Sequence, residues 1–455
     1  MQDDLLILWS AIKEMHPAYG IYTPADSLQI AYDKTYASIN TPLWETEFIS
    51  RIYPFLCDLR CGHTQVRHSA QYKASDEPKE PHLPFEVLVR HHQAWITTHL
   101  TEKLNTGEEV VSINDTPVSK IIDHGYGLYC GDGYNETFKE LYLSEYDGFE
   151  DACYNYYHWT SPWRVTLYNQ QGIIRTVLLE SSVAGSSPPP VDKKTDPYVA
   201  WTVAKNTDYL PLRFLKNRPT AWFEARSYQY SDTLIYKEVF KQIHEKGIKN
   251  LIIDLRHNTG GDIRVAAKLL TYLADSSFYI IQEIKSRIAD PAVNHFEKYF
   301  DTTRTESFRQ GFIPGQQEGA YYHVGFSPAF GPYNGLIPLD KTSHFNGKLF
   351  VLIDGATFSS GAHTAAAIKA QCKNAQFIGR ETAGAEEGCS GGTIQLLTLP
   401  NTHIEVDFPW MRIVSVAKHP VFGHGIIPDH IVEYSPEEVV DKADPDIKAA
   451  VRLIK

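Results

Sequence analysis

Apolar residues near the start of the chain recur at helical spacing. Over residues 4–17 the apolar residues Leu5, Leu6, Ile7, Leu8, Trp9, Ile12 and Met15 include sets with the three- or four-residue spacing of a helix, and His16-Pro17 closes the pattern. One face of a helix is therefore apolar, and the proline ends it. Similar patterns predict helices over residues 27–38 and 43–57. We expect these segments to form a helical N-terminal domain over residues 1–80.

Apolar and polar residues alternate in short runs further along the chain. The runs at 85–89 and 94–97 predict strands, and residues 163–180 predict a hairpin. Each run is too short for a stable helix and has the two-residue period of a half-buried strand. We predict a separate β module over residues 81–182.

Strand and helix patterns alternate from about residue 218 onward. Such alternation is typical of an α/β layer with parallel strands, and three consecutive prolines at 188–190 favour an extended spacer before it. We therefore predict an α/β domain over residues 183–455. Its expected strands are 219–224, 251–255, 349–353 and 376–378, and its expected helices are 231–246, 262–274, 361–372 and 436–454.

The composition of the chain argues against nucleic-acid binding, membrane spanning and zinc binding. The net charge is −12, from 43 basic and 55 acidic residues, and there is no run of Lys or Arg, so nucleic acid is not an expected partner. No window approaches the ~20 apolar residues of a membrane helix. The six cysteines lack zinc-type spacing. We expect them to be mainly buried thiols, and we expect no metal or organic cofactor.

Two strand-to-helix turns carry residues suited to catalysis. Residues 254–262 end in the pair Gly260-Gly261, whose backbone N–H groups could stabilise an oxyanion or hold a phosphate. Residues 355–363 place Ser359 and Ser360 at a helix start, where the helix dipole favours negative charge. Taken alone, the first segment is also compatible with a simple tight turn, and the second with an ordinary N-cap.

These segments together resemble the C-terminal-processing (tail-specific) serine proteases and the related tricorn core. The family pattern Asp-Leu-Arg-x-Asn-x-Gly-Gly is present at 254–261, and the strand-turn-Ser-helix pattern at 355–363. Gly-x-x-Thr-x-Gly follows at 379–384 and Gly-x-x-Pro-Asp at 425–429. The stretch 106–114 resembles the core of a divergent PDZ module. The resemblance implies a ClpP/crotonase-like catalytic core beside the helical and PDZ-like parts.

The same resemblance implies which residues would be catalytic. Aligning His363 with the family's acidic residue on the helix places Ser360, rather than Ser359, as the nucleophile. The backbone N–H groups of Gly361 and of Gly260 or Gly261 then correspond to the oxyanion hole.

The expected general base departs from the classical members. Those proteases use a lysine where this chain has Ala385, and no lysine lies between Lys373 and Lys418. The tricorn branch instead uses a histidine located before its PDZ module, and His63 matches that place. An imidazole with a near-neutral pKa can take the serine proton and return it to the leaving amine. We therefore expect His63 to be the base and the rate to fall on the acid side of pH 6–7.

The carboxylate that would orient the base is less determined. The position aligned with the tricorn glutamate is Phe422. The loop that has Ala385 in place of the lysine offers three other candidates for this carboxylate, Glu386, Glu387 and Glu381. His424 is a weaker alternative for the base itself.

The resemblance implies a serine endopeptidase that cleaves peptides or unstructured C-terminal tails through an acyl-enzyme. Two alternatives stay open: a catalytically inactive, PDZ-containing peptide-binding protein, and a crotonase-like acyl-CoA enzyme. The resemblance also implies a periplasmic or cell-envelope location. Because no signal peptide is visible in the sequence, this expectation includes a leader or lipidated N-terminal segment that is removed and could tether the protein to a membrane.

A long insertion over about 285–345 is rich in aromatic residues. We expect it either to cover the cleft and shape the substrate pocket or to cover the core. The aromatic residues are Phe296, Tyr299, Phe300, Phe312, Tyr321, Tyr322, Phe326, Phe330 and Tyr333.

Overall fold

The computed structural model describes residues 1–74, 82–181, 198–207 and 209–454. The three prolines at 188–190, and with them the predicted spacer, lie outside the described residues. The described chain combines helices with three sheets, which confirms the predicted α/β class. Within these ranges, no helix is long and apolar enough to cross a membrane.

The first segment is helical, as predicted. Trp9 is fully buried and stacks on Tyr32 with ring centroids 5.1 Å apart, so the apolar stripe of the first helix packs on its two neighbours. The elements are α1 (Gln2–Met15), α2 (Ala25–Ser38), α3 (Glu45–Cys57) and the short strand β1 (Val66–Arg67).

The second segment forms an antiparallel sheet with helices on one side. Its strand order is β2-β3-β4-β6-β7, with β5 paired to β4. Buried and more exposed residues alternate along β6, as the two-residue period predicted, whereas β2 and β3 each contain consecutive buried residues. That this module is a PDZ domain stays a prediction. The elements are β2 (Phe85–Arg90), β3 (Gln93–His99), β4 (Glu109–Ile113), β5 (Thr116–Pro117), α4 (Val118–Tyr126), α5 (Thr137–Glu145), α6 (Gly148–Asp151), β6 (Trp163–Tyr168) and β7 (Ile174–Leu179).

The third segment builds the remaining two sheets. It begins with β8 (Trp201–Val203), β9 (Leu212–Leu215), β10 (Thr220–Glu224), α7 (Thr233–Glu245), β11 (Asn250–Asp254), α8 (Ile263–Thr271), β12 (Glu283–Ser286), α9 (Thr302–Gly311), β13 (Phe312–Glu318) and β14 (Tyr321–Phe326). It continues with β15 (Lys348–Ile353), α10 (Ser360–Gln371), β16 (Ala375–Gly379), β17 (Gly388–Thr398), β18 (Glu405–Val414), β19 (His430–Ile431), α11 (Pro436–Val440) and α12 (Pro445–Leu453).

One of these sheets is largely parallel. Its order is β19-β16-β15-β11-β10-β9-β8. The first five strands in this order, β19, β16, β15, β11 and β10, run parallel to one another. Strands β10 and β11 are buried along their whole length, as expected for a sheet that is covered on both faces. Because the strands are parallel, the loops after β11 and β15 emerge at the same edge.

The other sheet is antiparallel and includes the predicted insertion. Its order is β1-β18-β12-β14-β13, with β17 paired to β18. Phe300 and Phe308 from the insertion pack edge-on against Trp410 of β18, with ring centroids 5.1 and 5.4 Å apart. They belong to the same hydrophobic core as α1–α3. This part of the insertion is therefore a core component, whereas its role toward a substrate stays a prediction.

The C-terminal region differs from the expected single helix over 436–454. Two helices, α11 and α12, are separated by a turn at 441–444, and Pro445 begins the second. A proline lacks the N–H that a continuous helix needs, but it is tolerated at a helix start.

Candidate active site

The turn between β15 and α10 presents a serine in a strained conformation. Ser359 has φ 50° and ψ −125° and immediately precedes the first residue of α10. L-residues rarely adopt positive φ, and such strain persists only where the surroundings enforce it. A sharp strand-to-helix turn of this kind points the serine hydroxyl away from the helix axis and toward the space beside the turn.

The loop after β11 holds this turn in place. Phe358 donates its N–H to the carbonyl of Asn258 at 2.9 Å, and the Thr357 hydroxyl donates to the carbonyl of Leu255 at 2.9 Å. A β-carbon added to Gly361 would lie only 2.4 Å from the Asn258 carbonyl oxygen. The helix start therefore approaches the loop as closely as a glycine permits.

His63 lies against this serine. Its Nε2 is 3.0 Å from the Oγ of Ser359, although 296 residues separate the two in the chain. The imidazole packs on the ring of Phe358, with centroids 4.4 Å apart. A β-carbon on Gly62 would lie 2.7 Å from that phenyl ring. The predicted base and a serine hydroxyl thus form a hydrogen-bonded pair.

The serine of this pair is not the predicted one. The Ser360 hydroxyl donates to the carbonyl of Gly261 at 2.7 Å, and Ser360 is the first residue of α10. Inside the first helical turn its side chain points to the glycine loop, whereas the positive φ of Ser359 turns that side chain toward His63. The family spacing located the turn correctly but was one residue off for the hydroxyl that meets the imidazole.

His363, which replaces the family's acidic residue, is buried on α10. Its Nε2 lies 3.5 Å from the Sγ of Cys389. Burial, with the nearby Arg412 adding to it, lowers the pKa of His363 to about 4. A neutral imidazole at this place is compatible with the apolar surroundings.

The three candidate carboxylates do not hydrogen-bond to His63. Glu386 pairs with Lys369 at 2.9 Å. Glu387 accepts from the hydroxyl of Tyr22 at 2.8 Å, and Glu381 lies 3.1 Å from the Nδ1 of His424. In the described structure neither Glu386 nor Glu387 contacts His63 as the sequence suggested, and the Oε2 of Glu387 is buried without a hydrogen-bond partner. His424 is likewise turned toward Glu381.

The predicted oxyanion donors differ in whether their N–H groups already have an acceptor within the protein. The N–H of Gly260 donates to the Oδ1 of Asn258 at 2.9 Å, and that of Gly361 donates to the carbonyl of Phe358 at 2.8 Å. Among the described residues, the N–H groups of Gly261 and Ser360 have no such acceptor. A β-carbon on Gly260 would lie 2.8 Å from the Ser360 nitrogen, so the glycine loop directly borders this helix start.

Burial makes His63 a weak base in the resting protein. Removal from water lowers its pKa to about 4, and His363 adds to this, while the Ser390 backbone opposes it. The imidazole is therefore neutral at pH 7, the form that can accept a proton from Ser359. The Nδ1 of His63 is buried and has no hydrogen bond of ordinary geometry to any described residue, although the Ser390 backbone lies close enough to favour the protonated ring.

One buried carboxylate near His63 was missed at the sequence level. Asp132 lies between Gly131 and Gly133 in the loop before α5, and it is only 2% exposed. Its Oδ1 accepts the N–H of Gly62 at 2.7 Å. The only signal in the sequence was an acidic residue flanked by glycines, which is typical of an ordinary turn.

Two groups of side chains have the chemistry of metal ligands. His63, Asp132 and Cys389 have ligand atoms within 4.8 Å of one another, as do the more exposed Glu283, Glu318 and His323. Ligands around a tetrahedral zinc lie roughly 3.3–3.8 Å apart, given bond lengths of about 2.0–2.3 Å. The 4.8 Å limit is wider than this spacing, so proximity alone does not establish a zinc site in either group.

Comparison with known proteins agrees with this geometry. Residues 225–432 match the model of peptidase family S41, so this part of the chain is a peptidase domain. The match confirms the predicted family resemblance and the enzyme class, peptide hydrolase, and it favours neither alternative function. No curated protein sequence matches the chain.

Solved structures resemble the fold over nearly the whole chain. Mature CPAF in complex with lactacystin has a TM-score of 0.65 at 13% identity, and the match covers 99% of this chain and 97% of that one. Another structure of mature CPAF has a TM-score of 0.63 at 14% identity, with 99% and 95% covered. The photosystem II D1 C-terminal processing protease reaches only 0.41 at 14% identity, with 99% and 96% covered. At these identities the likeness to CPAF concerns the fold alone.

Proposed function

We propose that the protein is a serine endopeptidase in which Ser359 is the nucleophile and His63 the general base. The observation that carries this proposal is the 3.0 Å contact between the Nε2 of His63 and the Oγ of Ser359. Such a contact between nucleophile and base is the geometric requirement for activating a serine hydroxyl. The strained turn and the helix N-terminus support the same assignment.

In the proposed first step, His63 takes the proton from Ser359 while the Oγ attacks the scissile carbonyl carbon. The carbonyl oxygen then becomes an oxyanion, and the N–H groups of Ser360 and Gly261 would stabilise it. The residue after the nucleophile is the usual source of one such donor. This assignment moves both the nucleophile and its adjacent donor back by one position from the sequence-based prediction.

In the proposed second step, His63 gives its proton to the leaving amine, and the C–N bond breaks to leave an ester on Ser359. A water molecule then attacks the ester carbonyl while His63 accepts its proton. The bond between the carbonyl carbon and the Oγ of Ser359 breaks, His63 returns the proton to this Oγ, and the peptide acid is released. Every proton passes through one imidazole nitrogen. No metal or organic cofactor enters the proposed reaction.

The proposed substrates are extended peptides or unstructured C-terminal tails. Exposed sheet edges can bind such segments by adding a strand, and the module over β2–β7 has two edge strands. A role of this module as a PDZ-type peptide holder is part of the proposal. So is a periplasmic or cell-envelope location with a membrane tether, for which the support is the family resemblance.

A fluorophosphonate probe followed by peptide mapping tests the nucleophile. We expect the probe to modify Ser359 in the native protein and in Ser360→Ala, and we expect no modification in Ser359→Ala. Because the two serines are adjacent, each variant is the matched control for the other. Labelling that persists in Ser359→Ala and disappears in Ser360→Ala would contradict the proposal. Lactacystin, which occupies mature CPAF in one structure, provides a second active-site probe.

A further inference from the structure

His63 and Asp132 each have a buried polar atom that no described residue satisfies. These atoms are the Nδ1 of His63 and the Oδ2 of Asp132. An unpaired buried polar atom costs free energy comparable to a lost hydrogen bond. Two such atoms in neighbouring side chains call for a common explanation.

The two side chains are close in space. A ring nitrogen of His63 and a carboxylate oxygen of Asp132 lie within 4.8 Å of each other. The Nδ1 of His63 and the Oδ2 of Asp132 make no direct hydrogen bond, and two groups this close can be joined by one water molecule that bonds to both. The Nε2 of His63 already faces Ser359, so Nδ1 is the nitrogen left to meet the carboxylate.

Asp132 is also fixed relative to the imidazole. Its Oδ1 accepts the N–H of Gly62, the residue next to His63. The side chain of Asn135 donates to the Asp132 carbonyl at 3.0 Å and to the Ala383 carbonyl at 2.9 Å. The carboxylate is therefore held between the histidine loop and the loop that follows β16.

We propose that Asp132 is the positioning residue for His63, bonded through one water molecule to the Nδ1–H, so that it sets the tautomer and stabilises the imidazolium formed when Ser359 attacks. This inference rests on the proposed function. It moves the orienting carboxylate from the loop containing Glu386 and Glu387 to the loop between α4 and α5. A segment of the predicted PDZ-like module would then contribute directly to the catalytic site.

Burial shifts the pKa values of Asp132 and His63 in opposite directions. Burial raises the pKa of Asp132 to about 7, against the opposing effects of the Gly62 N–H and of Arg412. Burial lowers the pKa of His63 to about 4. Only the ionised form of Asp132 would stabilise a proton that arrives on His63, so the proposed role depends on ionisation of this carboxyl group.

Several other groups interact electrostatically with Asp132 and belong to the same buried region. Arg412 favours its ionised form, and Glu387 opposes it. The remaining titratable groups that interact with it are Cys61, Cys389 and Tyr22, and burial raises the pKa of each of these. Among these residues, Arg412 is the cation.

Asp132→Asn is the decisive variant, because the amide oxygen can still accept the Gly62 N–H. We expect kcat to fall by about 10²–10⁴-fold with little change in KM, since a misoriented base impairs the chemical step rather than binding. The pH profile gives a readout that a purely structural role would not move. In the native protein, kcat/KM should rise with ionisation of Asp132 near pH 7. In Asp132→Asn this limb should disappear and leave only the titration of His63 near pH 4.

Glu140→Gln is the matched control. Glu140 is another buried carboxylate, located on α5 and ion-paired with Arg380. We expect this variant to lower the unfolding temperature while kcat and its pH profile stay unchanged. Should Asp132→Asn retain native kcat and the native acid limb, the inference would be overturned, and the Ser390 backbone would be the group that orients His63.

Ser359→Ala and His63→Ala separate failure of this inference from failure of the proposed function. If both are inactive and Asp132→Asn is fully active, only the role of Asp132 is wrong. If Ser359→Ala is active, the proposed nucleophile is wrong and the inference falls with it.

Discussion

The two halves of the candidate site are built in different ways. The serine half consists of the turn before α10 and the loop after β11, which meet because β11 and β15 are parallel neighbours. The histidine half consists of the loop after α3 and the loop before α5, joined by the hydrogen bond from Gly62 to Asp132. One half follows from adjacent strands of a single sheet, and the other from contacts between separate segments.

This difference predicts whether a substitution in each half reduces folding stability or the reaction rate. The serine half is set by backbone geometry and by buried ion pairs beneath the sheet, so damage there should affect stability broadly. The histidine half is set by a few close contacts around one imidazole, so a small displacement should reduce the rate with little effect on folding. Four substitutions separate these expectations.

The largest expected effect is that of Ser359→Ala. Loss of the nucleophile should reduce kcat by about 10⁴–10⁶-fold. Ser360→Ala should reduce it no more than about tenfold, because that hydroxyl only bonds the Gly261 carbonyl. Peptide hydrolysis measured on both purified variants checks this, and equal losses in the two would show that the serine turn acts as a unit.

Arg256→Met should have the next largest effect, on stability. Arg256 is 8% exposed and lies 2.8 Å from Asp254, 2.8 Å from Asp444 and 3.0 Å from Asp446. Its removal leaves buried carboxylates without their cation, which costs about 3–5 kcal/mol. Urea unfolding measures the loss. A change below ~1 kcal/mol would mean that the pairing between β11 and α12 does not stabilise the serine half.

Gly62→Ala should affect the rate more than stability. The added β-carbon would lie 2.7 Å from the Phe358 ring on which His63 packs. A shift of about 1 Å in the imidazole can reduce the rate by ~10²-fold. Gly325→Ala on β14 is the control, because its β-carbon would lie 3.7 Å from the closest neighbouring atom, a carbonyl oxygen. Similar rates for the two variants would contradict the sensitivity assigned to the histidine half.

The smallest effect concerns His16, which supports the histidine half from α1. Its Nε2 lies 2.8 Å from the hydroxyl of Thr64, and burial, aided by Arg287, lowers its pKa to about 3. As pH falls from 6.5 toward 3, the unfolded chain binds a proton that the folded chain excludes. Folding stability should therefore decrease with acidification, by up to ~1.4 kcal/mol per pH unit from this residue.

Unfolding measured at pH 7.5, 6 and 5 checks this prediction. His16→Gln should show a shallower decline than the native protein. A decline should remain in this variant, because His63 and His363, whose pKa values are also lowered by burial, contribute with the same sign in both proteins. Parallel declines in the two proteins would show that His16 is not the source.

Much of the fold could be predicted from the sequence, and the exceptions have clear causes. Strands β11 and β15 contain continuous apolar runs, and helices α7 and α8 each have an apolar face, so local patterns identified them. The aromatic insertion was harder, because an aromatic residue that covers a core and one that lines a pocket look the same in a sequence. Pro445 was the local signal that could have divided the final helix.

The candidate site was predictable to the level of segments. His63 and the turn containing Ser359 were identified from motifs, but the choice between Ser359 and Ser360 depended on a backbone angle. No pattern distinguishes two adjacent serines until one adopts positive φ and the other enters the helix. Glu386 and Glu387 were reasonable candidates by position, yet each has a partner elsewhere.

By itself, the sequence determined the resemblance to a peptidase family, the α/β layer and the two strand-to-helix turns, since these depend on short-range patterns of apolar residues and glycines. Only the tertiary structure decided which hydroxyl meets His63 and which carboxylate lies behind it. Those choices depend on distances of a few ångströms between segments up to 296 residues apart. Hydrogen bonds tolerate so little error in position that they are determined only after the separate elements have packed together.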